Sequence, residues 1–223
     1  MFITSKGIVL HRIKYGDNSF IVKVFTEMKG MLTFFLRISS KQRSLVNMFQ
    51  PLTAVELTFT YKGSKDMHYI KEFKPVEKSH LYTNDIRKIA VKSLISEFTY
   101  KCIQEENEDA DIFNFLMQQS NKLTHLNGGY NTFVLGFLFR FFELQGFSFI
   151  AYSENSSNEG FLSVDDLNIL DALKNEPDVG NFPQNNAGSR KDLLDKMILC
   201  YKNAILGEKK ILSIDIYKEV FYN

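Results

Sequence analysis

The sequence predicts an α+β fold, with a small five-stranded β-barrel domain over residues 1–79 and an all-α domain over residues 80–223. Two observations carry this prediction. Apolar residues alternate with period two in the first part, and from Thr83 they recur with a period near 3.6. Residues 1–79 also carry 13 Lys and Arg against 6 Asp and Glu, whereas residues 80–223 carry 14 against 20. The first domain therefore favours a polyanion, and the second favours a protein partner or none.

Five strands are expected in the first domain, each a run of β-branched and aromatic residues bounded by turn signals. They are residues 2–13, 20–26, 32–38, 55–61 and 67–73. The turns YGDNS (residues 15–19) and KGSKD (residues 62–66) separate strands, and Gly30 can adopt the positive φ of a tight hairpin. Five short antiparallel strands indicate a small barrel, for which the OB-fold is the commonest nucleic-acid-binding candidate.

The stretch from Gly30 to Phe59 places a basic segment between two alternating runs. Residues 37–44 contain three cations and no acid. We interpret the stretch as two barrel strands and a connection that contacts a polyanion; the alternative is a hairpin with a solvated basic loop. On the third strand, Phe35 and Arg37 share the face opposite Phe34. An aromatic ring and a cation are thus expected together on the outer face.

The second domain is expected to contain a series of amphipathic or buried helices. They are residues 83–104, 111–123, 132–147, 163–174, 189–206 and 213–221. Asp109 is a candidate N-cap for the second helix, and Gly146 is a candidate terminator for the apolar third helix. Ser163 and Ser189 are each followed three residues later by Asp, which predicts a capping box at the start of a helix.

Catalytic and metal-binding patterns are missing from the sequence. Cys102 and Cys200 lie far apart in helical segments, so free buried thiols are expected rather than a zinc or redox pair. The acidic run over residues 105–111 predicts a solvated connection, with a metal site as the alternative. Scattered histidines and the lack of Walker, GxGxxG, HExxH and GxSxG motifs make an enzyme the least favoured class. We therefore predict no catalytic residue, metal or cofactor, and neither a signal peptide nor a membrane-spanning segment.

Binding chemistry is better supported, because an OB-type groove combines a cationic track with rings on which bases stack. The candidate DNA-binding residues are Arg12, Lys14, Lys23, Lys29, Phe35, Arg37, Lys41 and Arg43. Tyr15 is a second candidate stacking ring. The alternative for each ring is a place in the core.

The succession of motifs resembles the bacterial recombination mediator RecO family. The stretches that carry the resemblance are GIVLHRIKYGDNSFIVKVFTEMKG, LRISSKQRS running into FQPLTAVEL, FTYKCIQEENEDADIFNFL, FLFRFFELQGFSF and ILSIDIYKEVF. They span almost the whole chain in the family's order. The resemblance implies an N-terminal OB-fold, a helical domain and a non-enzymatic role in DNA repair in the cytoplasm, at the nucleoid. It implies binding of single- and double-stranded DNA, annealing of complementary strands, and help in loading recombinase onto DNA coated by single-strand-binding protein.

The resemblance also implies partners and one departure. The family works with RecR and binds the C-terminal tail of single-strand-binding protein through its helical domain, for which no residues are carried over. Its basic OB positions correspond to Arg12, Lys14, Arg37, Lys41 and Arg43. Many members bear a four-cysteine zinc site after the third helix, but residues 151–161 contain no cysteine, so a zinc-free variant is expected. The remaining alternative is a non-enzymatic OB-fold adaptor that binds RNA or a protein.

Overall fold

A computed structural model describes residues 1–38, 46–63, 65–77, 83–103, 108–151, 161–175 and 187–222. Its strands are β1 (Phe2–Lys14), β2 (Ser19–Thr26), β3 (Gly30–Arg37), β4 (Ala54–Thr60) and β5 (His68–Pro75). The α-helices in these ranges are α1 (Ile86–Cys102), α2 (Ala110–His125), α3 (Tyr130–Leu144), α4 (Val164–Asn175), α5 (Ala187–Tyr201) and α6 (Ser213–Tyr222). The predicted order, a five-stranded barrel followed by helices, is confirmed.

The strands form a closed barrel in the order β1-β2-β3-β5-β4. The first half of β1 pairs with β4 and its second half pairs with β2, with a register shift between Val9 and His11. The barrel closes through a parallel pairing of β3 with β5, in which Phe34 lies opposite His68 and Phe35 lies opposite Tyr69. The fold is an OB-fold, as the alternating segments predicted.

Alternation along each strand determines which side chains fill the barrel. Phe34 on β3 and Phe59 on β4 are fully buried, and their ring centroids lie 5.0 Å apart. Phe49, which precedes β4, closes the same core against Phe73 at 5.0 Å. The prediction that Phe34 faces away from Phe35 and Arg37 on the third strand is therefore confirmed. The outward neighbours of the core residues, Phe35 among them, remain available for binding.

The chain forms two compact units, Met1–His125 and Leu126–Asn223. The first unit contains α1 and α2 as well as the barrel. The boundary predicted between residues 79 and 80 lies outside the described residues, and the packing of the chain divides it after α2. The outer surface of the barrel must accordingly be considered together with these two helices.

A strained turn before β4 is hydrogen-bonded to α2. Leu52 has a φ of 56°, which is unfavourable for a non-glycine residue. Its N–H donates to the Val9 carbonyl at 2.7 Å, and its own carbonyl accepts a 2.8 Å hydrogen bond from the buried hydroxyl of Ser120 on α2. These bonds and the full burial of the leucine side chain hold the turn in this conformation.

We expect Ser120→Ala to lower the free energy of unfolding by ~1–3 kcal/mol, because it leaves the buried Leu52 carbonyl without its donor. Urea denaturation measures this loss. Gln118→Ala, at an exposed position of the same helix, is the control and should change stability by less than about 0.5 kcal/mol. Equal effects of the two substitutions would show that the Ser120 hydrogen bond contributes nothing.

The second unit is built around α3, which is buried over most of its surface, as predicted. Phe142 packs against Tyr201 at 4.8 Å between ring centroids, and the Tyr201 hydroxyl donates to the Leu138 carbonyl at 2.7 Å. Gly146 follows the helix with a φ of 83°, which fits its predicted role as terminator. Cys200 is buried and forms no disulfide, and the same holds for Cys102 in the first unit.

One of the two predicted capping boxes is confirmed. The Ser163 amide donates to the Asp166 carboxylate at 2.8 Å, and the Asp166 amide donates to the Ser163 hydroxyl at 3.2 Å. The prediction for Ser189 was wrong, because α5 begins earlier, at Ala187. Its hydroxyl lies 3.5 Å from the Asp165 carboxylate, so Ser189 sits within the first turn and contacts a neighbouring helix.

Candidate nucleic-acid interface

Three rings from different parts of the sequence meet on the outside of the barrel. Phe35 on β3 lies 6.2 Å from Tyr15 and 5.9 Å from Tyr69, measured between ring centroids, and both contacts are edge-to-face. Tyr15 is 61% exposed and Tyr69 is 59% exposed. We call these three residues the aromatic cluster. A single exposed ring is ordinary, but three rings joined through Phe35 form a surface suited to stacking.

Each ring of the aromatic cluster is placed by strand geometry. Tyr15 starts the turn between β1 and β2, where its N–H donates to the Ser19 carbonyl at 2.8 Å. Phe35 faces outward because Phe34 and Leu36 face the core. Tyr69 lies opposite Phe35 in the parallel pairing that closes the barrel. The β2–β3 face and the flanking β1–β2 and β4–β5 loops are the surface on which OB-folds bind oligonucleotides.

Cations border the aromatic cluster. Arg37 is exposed at the end of β3, on the same face as Phe35. Exposed side chains at the end of β1 and in the β4–β5 turn add Lys14, Lys62 and Lys65. They outnumber the exposed acids of the two flanking turns, Asp17 and Asp66. The border is thus net positive and can attract phosphate groups.

Arg12 occupies a different environment from Phe35. Its guanidinium donates to the Val46 carbonyl at 2.8 Å and lies 5.3 Å from the centroid of the Phe20 ring. Burial lowers the pKa of Arg12 from its usual range. The residue therefore ties the segment after β3 to the barrel, and any contact of Arg12 with DNA remains a prediction.

Two further predicted cations contact other groups of the first unit. The Lys23 ammonium lies 5.1 Å from the centroid of the Tyr100 ring on α1. The Lys29 ammonium donates to the Glu108 carboxylate at 2.6 Å, and this hydrogen bond raises the pKa of Lys29. Both lysines thus have partners outside the aromatic cluster, and any contact of theirs with DNA remains a prediction. Lys41 and Arg43 lie outside the described residues.

Sequence reasoning missed Tyr69, Lys62 and Lys65. A signal for Tyr69 existed, because it alternates with His68, and the OB-fold brings the third and fifth strands together. The two lysines belong to the predicted turn KGSKD, and their position beside the face follows only from the barrel topology. Among the described residues, no group of His, Cys, Asp and Glu could hold a metal ion. The described helices also include none that is long and apolar enough to cross a membrane.

Comparison with known proteins gives a consistent result for the whole chain. Residues 1–78 match the model of the family described as "Recombination protein O N terminal". The chain is 28% identical to the DNA repair protein RecO of Christiangramia forsetii, over 99% of this chain and 100% of the relative. It is 27% identical to the DNA repair protein RecO of Azobacteroides pseudotrichonymphae over the same shares. A Bacteroides fragilis protein of that name is 32% identical over 60% of this chain and 56% of its own length.

Proposed function

Because this chain belongs to the RecO family of DNA repair proteins, we propose that it acts as a DNA-binding recombination mediator and not as an enzyme. In this role it binds single- and double-stranded DNA, anneals complementary strands and helps load recombinase onto DNA coated by single-strand-binding protein. The observation that supports the proposal is the exposed aromatic cluster of Tyr15, Phe35 and Tyr69 with its border of cations.

The aromatic cluster suits a strand whose bases are unpaired. Base–aromatic stacking is worth ~1–3 kcal/mol per base and tolerates any sequence, because every base has a π-face. The edge-to-face contacts with Phe35 leave more than half of the surface of Tyr15 and Tyr69 exposed. Cations such as Arg37 at the border would hold the phosphates, so binding would be strong at low salt and independent of sequence.

Stacking also accounts for annealing. A base that lies flat on a ring is held by its face, and its Watson–Crick edge stays free. A single strand held in this way is extended and open to pairing with a complementary strand. The product duplex buries its base faces, so it would leave the rings and keep only phosphate contacts.

The partners we propose are RecR and the C-terminal tail of single-strand-binding protein. We propose that the tail binds the helical domain. Because DNA is the proposed ligand, we propose that the protein acts in the cytoplasm, at the nucleoid. An RNA- or protein-binding adaptor is the competing class. A nuclease-treated pull-down that recovers proteins, from a chain that binds no DNA, would favour the adaptor.

Salt dependence tests the proposed DNA binding. If Lys14, Arg37, Lys62 and Lys65 each contact one phosphate, log Kobs should fall with log[salt] with a slope of about −3. Binding of a labelled dT oligonucleotide, followed by fluorescence anisotropy, should then weaken about fifty-fold between 50 and 200 mM salt. Failure to bind even at 50 mM salt would refute the proposed function.

Substitution of single cations sharpens this measurement. We expect Arg37→Ala to make the slope less negative by about 0.7, the value of one phosphate contact on a single strand. Lys29→Ala is the matched control, because Lys29 is already paired with Glu108, and it should leave the slope unchanged. A larger effect at Lys29 than at Arg37 would show that DNA binds near Lys29 and not at the aromatic cluster.

A further inference from the structure

Two members of the aromatic cluster, Phe35 and Tyr69, are part of a longer row of residues that spirals around the barrel. Strand pairing connects them one after another: Phe2 with Thr60, Thr60 with Tyr69, Tyr69 with Phe35, Phe35 with Ile21, and Ile21 with Ile13. Except for Ile13, each has a buried neighbour on its own strand, such as Ile3, Phe59 or Phe34. At its two ends, Phe2 is 62% exposed and Ile13 is 50% exposed.

Helix α1 covers the barrel beside one end of this row. The Tyr100 ring stacks on His11 with 5.1 Å between centroids and an interplanar angle of 2°. The Lys23 ammonium lies over the same ring. His11 and Lys23 are paired across β1 and β2, next to Ile13 and Ile21. A ligand on the aromatic cluster therefore meets α1 on this side and has open surface in the other direction, past Tyr69.

The open surface past Tyr69 leads to an aromatic ring and a cation. The Lys71 ammonium lies 4.8 Å from the centroid of the Phe2 ring, and Lys71 is exposed. The register of β4 and β5 shifts here, since Thr58 faces Glu72 and Phe59 faces Ile70, so Lys71 is the extra residue of a β-bulge. Bulges redirect a side chain, and this one brings Lys71 to Phe2. Phe2 and Lys71 thus place a ring beside a cation, and Phe35 and Arg37 likewise place a ring and a cation on one face of β3.

We propose that Phe2 and Lys71 form an additional nucleotide subsite, reached by a single strand that continues from Tyr69 across β4. A base stacks on the exposed surface of Phe2, and the Lys71 ammonium contacts the adjacent phosphate. Phe2 and Tyr69 are separated by two interstrand spacings, ~10 Å, with the small side chain of Thr60 between them. The subsite therefore serves strands longer than those that fill the aromatic cluster. This inference rests on the proposed single-strand binding.

Oligonucleotide length tests the subsite. Dissociation constants are measured at low salt for dT oligomers of about 4 and about 16 nucleotides, the range of OB-fold site sizes. Phe2→Leu removes the ring and keeps an apolar side chain. It should weaken binding of the longer oligomer about fivefold or more and leave the shorter one unchanged. Lys71→Ala should also act on the longer oligomer alone and make its salt slope less negative by about 0.7.

The controls separate this inference from the proposed function. Ile86→Leu changes a 60% exposed apolar side chain on α1, outside the row, and should affect neither oligomer. Thermal unfolding should be the same for all variants. If Phe2→Leu has no effect, or weakens both lengths equally, the additional subsite is refuted. If the unmodified protein binds neither oligomer, the proposed function fails instead.

Discussion

Replacement of Tyr15 and Tyr69 together by alanine is expected to weaken binding of a single-stranded dT oligonucleotide at least thirty-fold. Each ring should contribute ~1–3 kcal/mol through stacking with a base, so loss of both removes at least about 2 kcal/mol. Both rings are more than half exposed, so the barrel does not depend on them for its core. Fluorescence anisotropy at low salt measures the loss, and thermal unfolding verifies the fold.

The matched control replaces both tyrosines by phenylalanine. This variant keeps the two rings and loses only the hydroxyl groups, so it should bind nearly as tightly as the unmodified protein. A large loss in the phenylalanine variant would assign the interaction to hydrogen bonds of the hydroxyl groups. Unchanged affinity in the alanine variant would show that the aromatic cluster does not contact DNA.

Gly7→Ala is expected to lower the free energy of unfolding by ~1–3 kcal/mol. Gly7 pairs with both Thr26 and Val55, at the point where β1 passes from one neighbour to the other. A Cβ atom at Gly7 would lie 2.5 Å from the Cγ1 of Val24 and 3.3 Å from the Phe25 carbonyl oxygen. Val24 is fully buried in the barrel core and cannot move aside without disturbing the packing.

Two further substitutions make the Gly7 prediction specific. Gly63→Ala is the control, because a Cβ there lies 3.7 Å from the nearest atom, the Tyr61 hydroxyl, and stability should hardly change. In the double variant Gly7→Ala with Val24→Ala, the clashing methyl group is absent. Its destabilisation should therefore be smaller than the sum of the two single effects. Additive losses in urea denaturation would contradict the proposed clash.

Local pattern was sufficient to predict the barrel but not its tight positions. Alternation predicted all five strands, since most inward positions of a small barrel are apolar. The need for glycine at position 7 depends on the distance to Val24 on a neighbouring strand, which no local pattern contains. The cap at Ser163 was predicted correctly and the one at Ser189 was not, although both share the same local sequence signal. Only tertiary contacts decide between them.

The candidate site was predicted in part for the same reason. Alternation placed Phe35 and Arg37 on the outer face. The structure brings the expected ring of Tyr15 beside Phe35, and it adds Tyr69, which was not predicted. Arg12, Lys23 and Lys29 are cationic in sequence, but their contacts with Val46, Tyr100 and Glu108 follow from packing after the chain has folded. Charge alone therefore predicts the sign of the ligand, and strand pairing determines which cations lie beside the rings.

Stacking of a single strand on the aromatic cluster, which we claim here, can be tested at one position. The chain contains no tryptophan, so Tyr69→Trp introduces a single fluorescent reporter into the cluster. Leu212→Trp, at a 69% exposed position on the second unit, provides the control. Both variants are titrated at low salt with a dT oligonucleotide while anisotropy of the labelled oligonucleotide reports binding. We predict that the emission of Trp at position 69 is quenched in parallel with binding and recovers on addition of salt, and that emission from position 212 stays constant. Unchanged emission at position 69 while the oligonucleotide is bound would contradict the claim.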